Sequence, residues 1–345
     1  MKKRILCLAA LISFTTLQAQ NINDVVNTVK ERITLTGYAQ GGYNWNSAAD
    51  PENEFKLARI ILMGNAQVTK HINAYVMYEL CNSSLHELWF NYKYNDALQV
   101  KVGQMKTPFS IENPLSPTSL EMIAPMAMVT DYMVCGSHPV MMPKSAGRDA
   151  GINVYGKLID GTLSYDVALM NGVGRNQGDN NSQKDFMVRL GYYPIKELML
   201  GASLMKGTGN MDVVPDGLGG WVNPEAPIRG VKHNGNFRRD RYAVGGLLKT
   251  APVNLRSEYM WGREGRSNSQ GVYATGTANN VLLKHLDVVA SFDWLDTYAD
   301  QQRRYTAGLQ YWFYPKCRMQ VLYSRHNNDR LPDANMVQAQ LQVAF

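Results

Sequence analysis

The last ten residues of the chain, Met336–Phe345 (MVQAQLQVAF), alternate between apolar and polar side chains and end on an aromatic ring. Successive side chains of a β-strand point to opposite faces, so the segment predicts a strand with one apolar face and one polar face. Val337, Ala339, Leu341 and Val343 would share the apolar face with the terminal ring. One face therefore suits lipid and the other suits water.

The same alternation recurs along the chain in segments of roughly ten residues, the length that a tilted strand needs to cross a bilayer. The sequence predicts sixteen strands, at 33–45, 54–67, 72–80, 85–94, 97–106, 148–158, 162–170, 185–194, 198–207, 239–249, 253–263, 270–279, 286–297, 303–313, 317–327 and 336–345. Short and long connections alternate between them, and the long ones include 107–147, 171–184, 208–238 and 328–335.

An even strand number with short turns on one side and long loops on the other is typical of bacterial outer-membrane barrels. The predicted fold class is all-β: a transmembrane antiparallel β-barrel of about sixteen strands over residues 33–345, with short periplasmic turns and long extracellular loops. A soluble β-sandwich is the alternative, but nothing makes its loop lengths alternate. No run of eighteen apolar residues is present, which excludes helical membrane spans.

The N-terminus has the pattern of a secretory signal. A basic start at Lys2–Arg4 precedes an apolar run, Ile5–Phe14, and a small residue, Ala19, at the expected cleavage site. We expect a signal peptide at 1–19 and a periplasmic N-terminal segment at 20–32, in which apolar spacing indicates a short helix. Cleavage would remove three of the charges behind the formal net charge of +6. The basic balance therefore gives no reason to expect a nucleic-acid partner.

Motifs for catalysis, metals and cofactors are missing from the sequence. We therefore expect a protein that is not an enzyme and that holds no metal and no cofactor. Beyond the signal, the cysteines are Cys81, Cys135 and Cys317, an odd number that does not fit a disulfide framework. A bond between Cys81 and Cys135 stays open, because both fall in predicted loops.

Four stretches carry a resemblance to a known family. They are Leu88–Tyr92, Leu98–Phe109 with its Val-Gly-Gln-x-Lys-x-Pro-Phe motif, Gly147–Gly151 and Tyr165–Gly172. Together they resemble the phosphate-selective porins O and P of Gram-negative outer membranes. The resemblance implies a sixteen-stranded barrel, a homotrimer, and a long third loop, here 107–147, that folds into the barrel.

The resemblance also implies a location and partners. The barrel would lie in the outer membrane, in contact with lipid and lipopolysaccharide, and would pass small anionic or polar solutes. The aromatic C-terminus, here Phe345, would be the assembly signal that the barrel assembly machinery recognises. Two alternatives remain open: a closed barrel acting as a surface scaffold or adhesin, and an outer-membrane hydrolase with a site at the rim.

A barrel of sixteen strands is too wide for side chains to fill, so water enters and the lining charges set selectivity. Alternation places these basic residues inside: Arg59, Lys93, Lys101, Arg189, Arg241, Arg256, Arg304 and Arg318. It places these acids inside: Glu79, Glu87, Asp149, Asp166, Glu258, Asp287 and Asp293. A phosphate-specific channel should show arginines with few acids nearby. The lining is mixed, so the sequence predicts a water-filled channel whose anion or phosphate preference stays open.

One stretch is more basic than the rest. Arg238, Arg239 and Arg241 lie within four residues at the end of the 208–238 loop. If that loop dips into the pore, they form a positive constriction, with Lys101 the second candidate; otherwise the stretch faces lipopolysaccharide. Loop 107–147 is the other candidate for the constriction. Its methionines are expected to pack it against the barrel wall: Met122, Met126, Met128, Met133, Met141 and Met142.

Overall fold

All sixteen alternating segments form strands in the computed structural model, which describes residues 31–123, 126–135, 145–211, 235–265, 267–297 and 299–345. The strands pair antiparallel in sequence order and close into a barrel. The predicted fold class is therefore confirmed. The signal segment 1–19, and the 20–32 segment except for Glu31 and Arg32, lie outside the described residues.

The strand bounds agree with the predicted ones to within a few residues. They are β1 (Ile33–Asn46), β2 (Asn53–Gln67), β3 (Ile72–Glu79), β4 (Ser84–Lys93), β5 (Gln99–Lys106), β6 (Arg148–Leu158), β7 (Leu163–Met170), β8 (Asp185–Ile195), β9 (Leu198–Met211), β10 (Gly235–Lys249), β11 (Val253–Glu264), β12 (Ser267–Ala278), β13 (Leu286–Asp296), β14 (Gln301–Tyr314), β15 (Cys317–Asn328) and β16 (Ala334–Ala344). Within the described ranges, no helix has the length and apolar character to cross a membrane.

The barrel closes where β1 meets β16, because an open edge in hydrocarbon would leave backbone groups unpaired. Their register pairs Tyr38 with Ala344. Beyond it, the amides of Gly37 and Phe345 each donate to the other's carbonyl oxygen at 3.0 Å. A glycine is required at Gly42, where a Cβ would lie 1.9 Å from the Ala339 carbonyl oxygen. The first and last strands thus form a continuous seam.

The alternation of apolar and polar residues in the sequence of β16 matches the outer and inner faces of that strand. Leu341 and Val343 are 48% and 44% exposed on the outside, whereas Gln340 and Gln342, which alternate with them, are buried inside. Outward apolar side chains recur around the barrel, with Phe55 on β2 the most exposed of those in strands. The apolar face therefore meets lipid, as predicted.

The connections differ from the predicted pattern on one side. The turns at the end that holds the chain's last residue contain two to seven residues, as expected. At the other end only 107–147, 171–184 and 212–234 are long, and the predicted long loop 328–335 is a five-residue turn at 329–333. The Asn328 side chain explains this, because its Oδ1 accepts the Arg330 and Leu331 amides and closes the turn.

Candidate functional site

The connection 107–147 between β5 and β6 is here called loop L3. Its described parts, 107–123, 126–135 and 145–147, lie inside the barrel against the inner wall of β7–β16. Near its start, Ser110 Oγ donates to Glu258 Oε2 at 2.7 Å. Farther along, Gln342 Nε2 donates to the Thr118 carbonyl at 3.2 Å. The described parts of this loop therefore fold inward. Residues 212–234 of the other candidate loop lie outside the described residues.

Apolar packing holds L3 on one half of the barrel. A helical turn, Met128–Thr130, continues into a π-helical turn, Asp131–Cys135. These turns and Phe109 form a buried cluster with inward residues of the facing strands: Ala168, Met170, Met187, Met205, Ala243, Met260, Tyr273 and Leu295. Met122, Met128 and Met133 are buried as predicted and Met126 is half-buried, whereas Met141 and Met142 lie outside the described residues.

The inner wall of β7–β16 is here called the far wall, and its arginines bind L3 directly. Arg256 pairs with Glu112 at 3.1 Å and with Glu121 at 2.8 Å, all within the barrel. Arg304 pairs with Asp293 at 3.1 Å, and its guanidinium also donates to the Met126 carbonyl at 3.3 Å. The guanidiniums of Arg256 and Arg304 therefore bind carboxylates and a loop carbonyl, and they do not face an open pore.

Three further inward arginines are engaged in the same way. Arg318 donates to the Leu120 carbonyl of L3 and to Gln310. Arg241 pairs with Glu264 at 2.8 Å and donates to the Met133 carbonyl. Arg239 pairs with Asp185 at 3.3 Å and with Glu264 at 3.4 Å, and donates to the Gly172 carbonyl at 2.9 Å. All three guanidiniums are buried.

Arg238 does not join its two neighbours. It is exposed on the outer face of β10 and pairs with Asp240, so the expected constriction of three arginines is wrong. The reason is that β10 begins at Gly235 rather than at 239, and consecutive strand residues cannot share a face. Arg239 and Arg241 face inward, where L3 and the loop at 171–184 cover them.

The opposite wall, strands β1–β6, is here called the pore-side wall. L3 contacts it near the two ends of the loop and through Met105 of β5 and Trp89 of β4, which pack against the buried L3 cluster. Among the described residues, Arg59 and Lys101 are the two predicted inward cations that pair with neither a carboxylate nor an L3 carbonyl. Both side chains are half-buried. Lys93 also lies on this wall, at the rim, where Asp96 pairs with it at 2.6 Å. Arg59 and Lys101 are therefore the predicted inward cations whose charges are held neither by an acid nor by L3, within the described residues.

Aromatic rings hold Lys101 in place. Its ammonium lies 4.3 Å from the Trp89 ring centre and 5.0 Å from that of Tyr155. Such contacts position a cation without neutralising it. The nearest acids act on Lys101 only from beyond ion-pair distance, and each has its own partner: Glu87 pairs with Arg148 at 3.1 Å, and Asp166 with Arg189 at 2.8 Å.

A second basic group lies toward the long-loop end of the same wall. Arg59, Lys106, Arg148 and Arg175 all act electrostatically on the His86 imidazole. Two carboxylates offset them, Glu79 at 2.9 Å from His86 and Glu87 on Arg148. Four cations against two anions leave this end of the wall positive.

Two cations of this wall, Lys106 and Arg148, were not among the predicted inward residues. Lys106 donates to the Asn113 and Leu115 carbonyls at 2.8 and 2.6 Å. Arg148, at the start of β6, forms an ion pair with Glu87. Both residues belong to the motifs that carry the family resemblance, which was the sequence evidence for a functional role. Their role as clamps at the two ends of L3 depends on the path of the loop.

The remaining sequence expectations concern cysteines and metals. Cys81, Cys135 and Cys317 are free thiols, so the bond left open between Cys81 and Cys135 does not form. Within the ranges that the structure describes, no group of three or more histidine, cysteine or acidic side chains could hold a metal ion.

Comparison with known proteins supports the same class of barrel. A sequence model of the family described as phosphate-selective porin O and P matches residues 33–282. No curated protein matches the sequence.

Three solved structures are similar in fold. In-vitro folded OmpT, an outer membrane protein of Vibrio cholerae in a trimer form, has 9% identity and a TM-score of 0.65, covering 91% of this chain and 99% of that chain. An anion-selective porin from Comamonas acidovorans has 12% identity and a TM-score of 0.65 with the same coverage. The outer membrane channel DcaP of Acinetobacter baumannii has 12% identity and a TM-score of 0.61, covering 91% and 97%.

Proposed function

The chain belongs to the phosphate-selective porin O and P family, outer-membrane channels for small solutes, and we propose that its pore runs along the pore-side wall and prefers anions. The observation that carries the proposal is the pairing of charges. L3 covers β7–β16 and engages their arginines, whereas Arg59 and Lys101 on the opposite wall keep uncompensated charges.

The strength of one such charge is enough to set the sign of selectivity. At a narrow point flanked by low-dielectric wall, a unit charge is worth about 1–4 kcal/mol to an ion within about 4 Å. A difference of about 1 kcal/mol corresponds to about a fivefold preference. Anions are therefore favoured along a wall on which Arg59 and Lys101 have no carboxylate partner, Glu87 is paired with Arg148, and Asp149 is fully buried and accepts backbone amides.

Phosphate specificity is not part of the proposal. Recognition of phosphate by proteins uses several guanidiniums that form bidentate contacts. On the pore-side wall only Arg59 offers a guanidinium without a carboxylate partner among the described residues, and Lys101 acts as a point charge. The anion-selective porin from Comamonas acidovorans has the same fold, which supports a general anion preference.

The remaining parts of the proposal concern assembly. We propose that residues 1–19 are a cleaved signal, that 20–32 is a periplasmic segment, and that the barrel is a homotrimer in the outer membrane. The trimer form of the similar Vibrio cholerae protein supports the oligomeric state. Lipid, lipopolysaccharide and the barrel assembly machinery are its proposed partners, with no catalytic activity and no cofactor.

Replacing both uncompensated cations tests the proposal. Arg59→Gln with Lys101→Gln should lower the chloride-to-potassium permeability ratio at least about fivefold, because about 1 kcal/mol of attraction is lost. The measurement is the reversal potential in a planar bilayer under a potassium chloride gradient. Arg303→Gln is the matched control, since Arg303 is exposed on the outer face and donates to the neutral side chain of Gln301. An unchanged ratio in the double variant would refute the pore-side location of selectivity.

A further inference from the structure

We infer that the pore-side wall binds organic anions that carry an apolar group, such as aromatic carboxylates, along an apolar strip with a cation at each end. The inference rests on the proposed function and goes beyond it, because charge alone would not distinguish such anions from chloride.

The strip interrupts the polar lining expected of a water-filled barrel, whose inward positions are normally polar. Tyr38, Ile61 and Met77 form a buried cluster, and the half-buried side chains of Met63 and Tyr75 pack against it. All five lie on the inward face of β1, β2 and β3. The buried cluster supports Met63 and Tyr75, whose half-buried side chains present the apolar surface of the strip. Apolar surface in contact with water costs free energy, which is recovered when an apolar solute covers it.

The strip continues across the next strands through aromatic contacts. The Tyr75 ring stacks on Trp89 with centres 4.9 Å apart and planes at 22°. Trp89 carries the Lys101 ammonium on its ring, and Tyr155 follows beyond it. The Trp89 side chain is in contact with Tyr75, with Lys101 and with the buried L3 cluster, so the ring of Tyr75 is the aromatic surface that remains for a solute.

A cation without a carboxylate partner lies at each end of this strip. Lys101 is at the Trp89 end, and Arg59 lies beside the Tyr38 hydroxyl at the other. A carboxylate would be attracted to either charge, and its apolar part would lie on Tyr75 and Met63. Amides line the same face, with Asn73 Nδ2 donating to Asn65 Oδ1 at 3.2 Å. The chemistry fits a solute with one charged end and one apolar body.

Benzoate and acetate separate the two contributions, because both carry one carboxylate and only benzoate carries a ring. The measurement is the permeability of each relative to chloride, from reversal potentials with the two anions on opposite sides of a planar bilayer. Benzoate is larger and diffuses more slowly in water, so a wall without affinity for rings would pass less benzoate than acetate. The wild type is expected to pass more benzoate than acetate.

Tyr75→Asn should lower the benzoate-to-acetate ratio about two- to tenfold, the range that one aromatic contact supplies, and leave acetate relative to chloride unchanged. Asparagine already occupies the inward neighbours Asn65 and Asn73, so the strand tolerates it. Tyr75→Phe keeps the ring and should keep the ratio. Heat-modifiable migration on a gel confirms that each variant folds.

The outcomes distinguish this inference from the proposed function. If Lys101→Gln lowers all anions together while Tyr75→Asn leaves the benzoate-to-acetate ratio unchanged, the strip binds no apolar group and the anion channel stands. A wild-type ratio below one would also overturn the inference. If the wild type shows no anion preference, the proposed function fails, whatever the ratio between the two carboxylates.

Discussion

Replacing Arg256 with alanine is expected to release part of loop L3 and to raise single-channel conductance several-fold. Arg256 is 2% exposed and holds both Glu112 and Glu121 inside the barrel. Removing one partner of a buried ion pair costs about 3–5 kcal/mol, because the other charge stays buried and unpaired. The loop should yield before the wall does, since the backbone ladder of β11 to both neighbours does not depend on this side chain.

Two further variants make the Arg256→Ala experiment specific. Arg263→Ala, on the same strand but exposed on the outer face, should leave conductance unchanged. Adding Glu112→Gln and Glu121→Gln to Arg256→Ala should restore conductance toward the wild type, because no buried charge then lacks a partner. Wild-type conductance in the single variant would mean that the ion pairs do not hold the loop.

Deleting Phe345 is expected to reduce the level of folded barrel to a small fraction of the wild type. The deletion removes two backbone hydrogen bonds to Gly37 at the seam, and with them the ring that lies over that glycine. Unpaired backbone groups at the end of the seam would then face hydrocarbon, which disfavours closure. The measurement is the amount of heat-modifiable protein in outer-membrane fractions.

Phe345→Tyr is the matched control, because it keeps the ring and the backbone bonds and should assemble normally. The side chain is 73% exposed, so the substitution disturbs no packed core. A normal amount of heat-modifiable barrel after the deletion would show that neither the seam bonds nor the aromatic end is needed for assembly.

The strands were predictable because their information is local. Alternation along β16 or β6 is visible in ten residues, and a barrel turns each such segment into a wall with one face in lipid. Arg238 shows the limit of the same rule. Arg238 was expected in a loop that points into the pore, because the residues at the end of β9 and the start of β10 are polar. In the structure it lies on the outer face of β10 and pairs with Thr208 within the sheet.

The partners of the inward cations could not be predicted from a count of charges. Arg304 and Arg318 donate to the carbonyls of Met126 and Leu120, which carry no charge in the sequence. Those contacts exist only because L3 follows one path across the far wall. A lining of eight basic and seven acidic residues therefore looked balanced, although among the described residues Arg59 and Lys101 are the two of those eight that bind neither an acid nor L3.

The central claim is that the open path follows the pore-side wall and that L3 seals the far wall. Thiol modification tests it in a background where Cys81, Cys135 and Cys317 are serine. Asn65→Cys places a thiol on the exposed inner face of β2, and Thr275→Cys places one on β12, where the threonine is 2% exposed. A negatively charged methanethiosulfonate should lower single-channel conductance at Asn65→Cys and leave Thr275→Cys unchanged. Block at Thr275→Cys without block at Asn65→Cys would contradict the account.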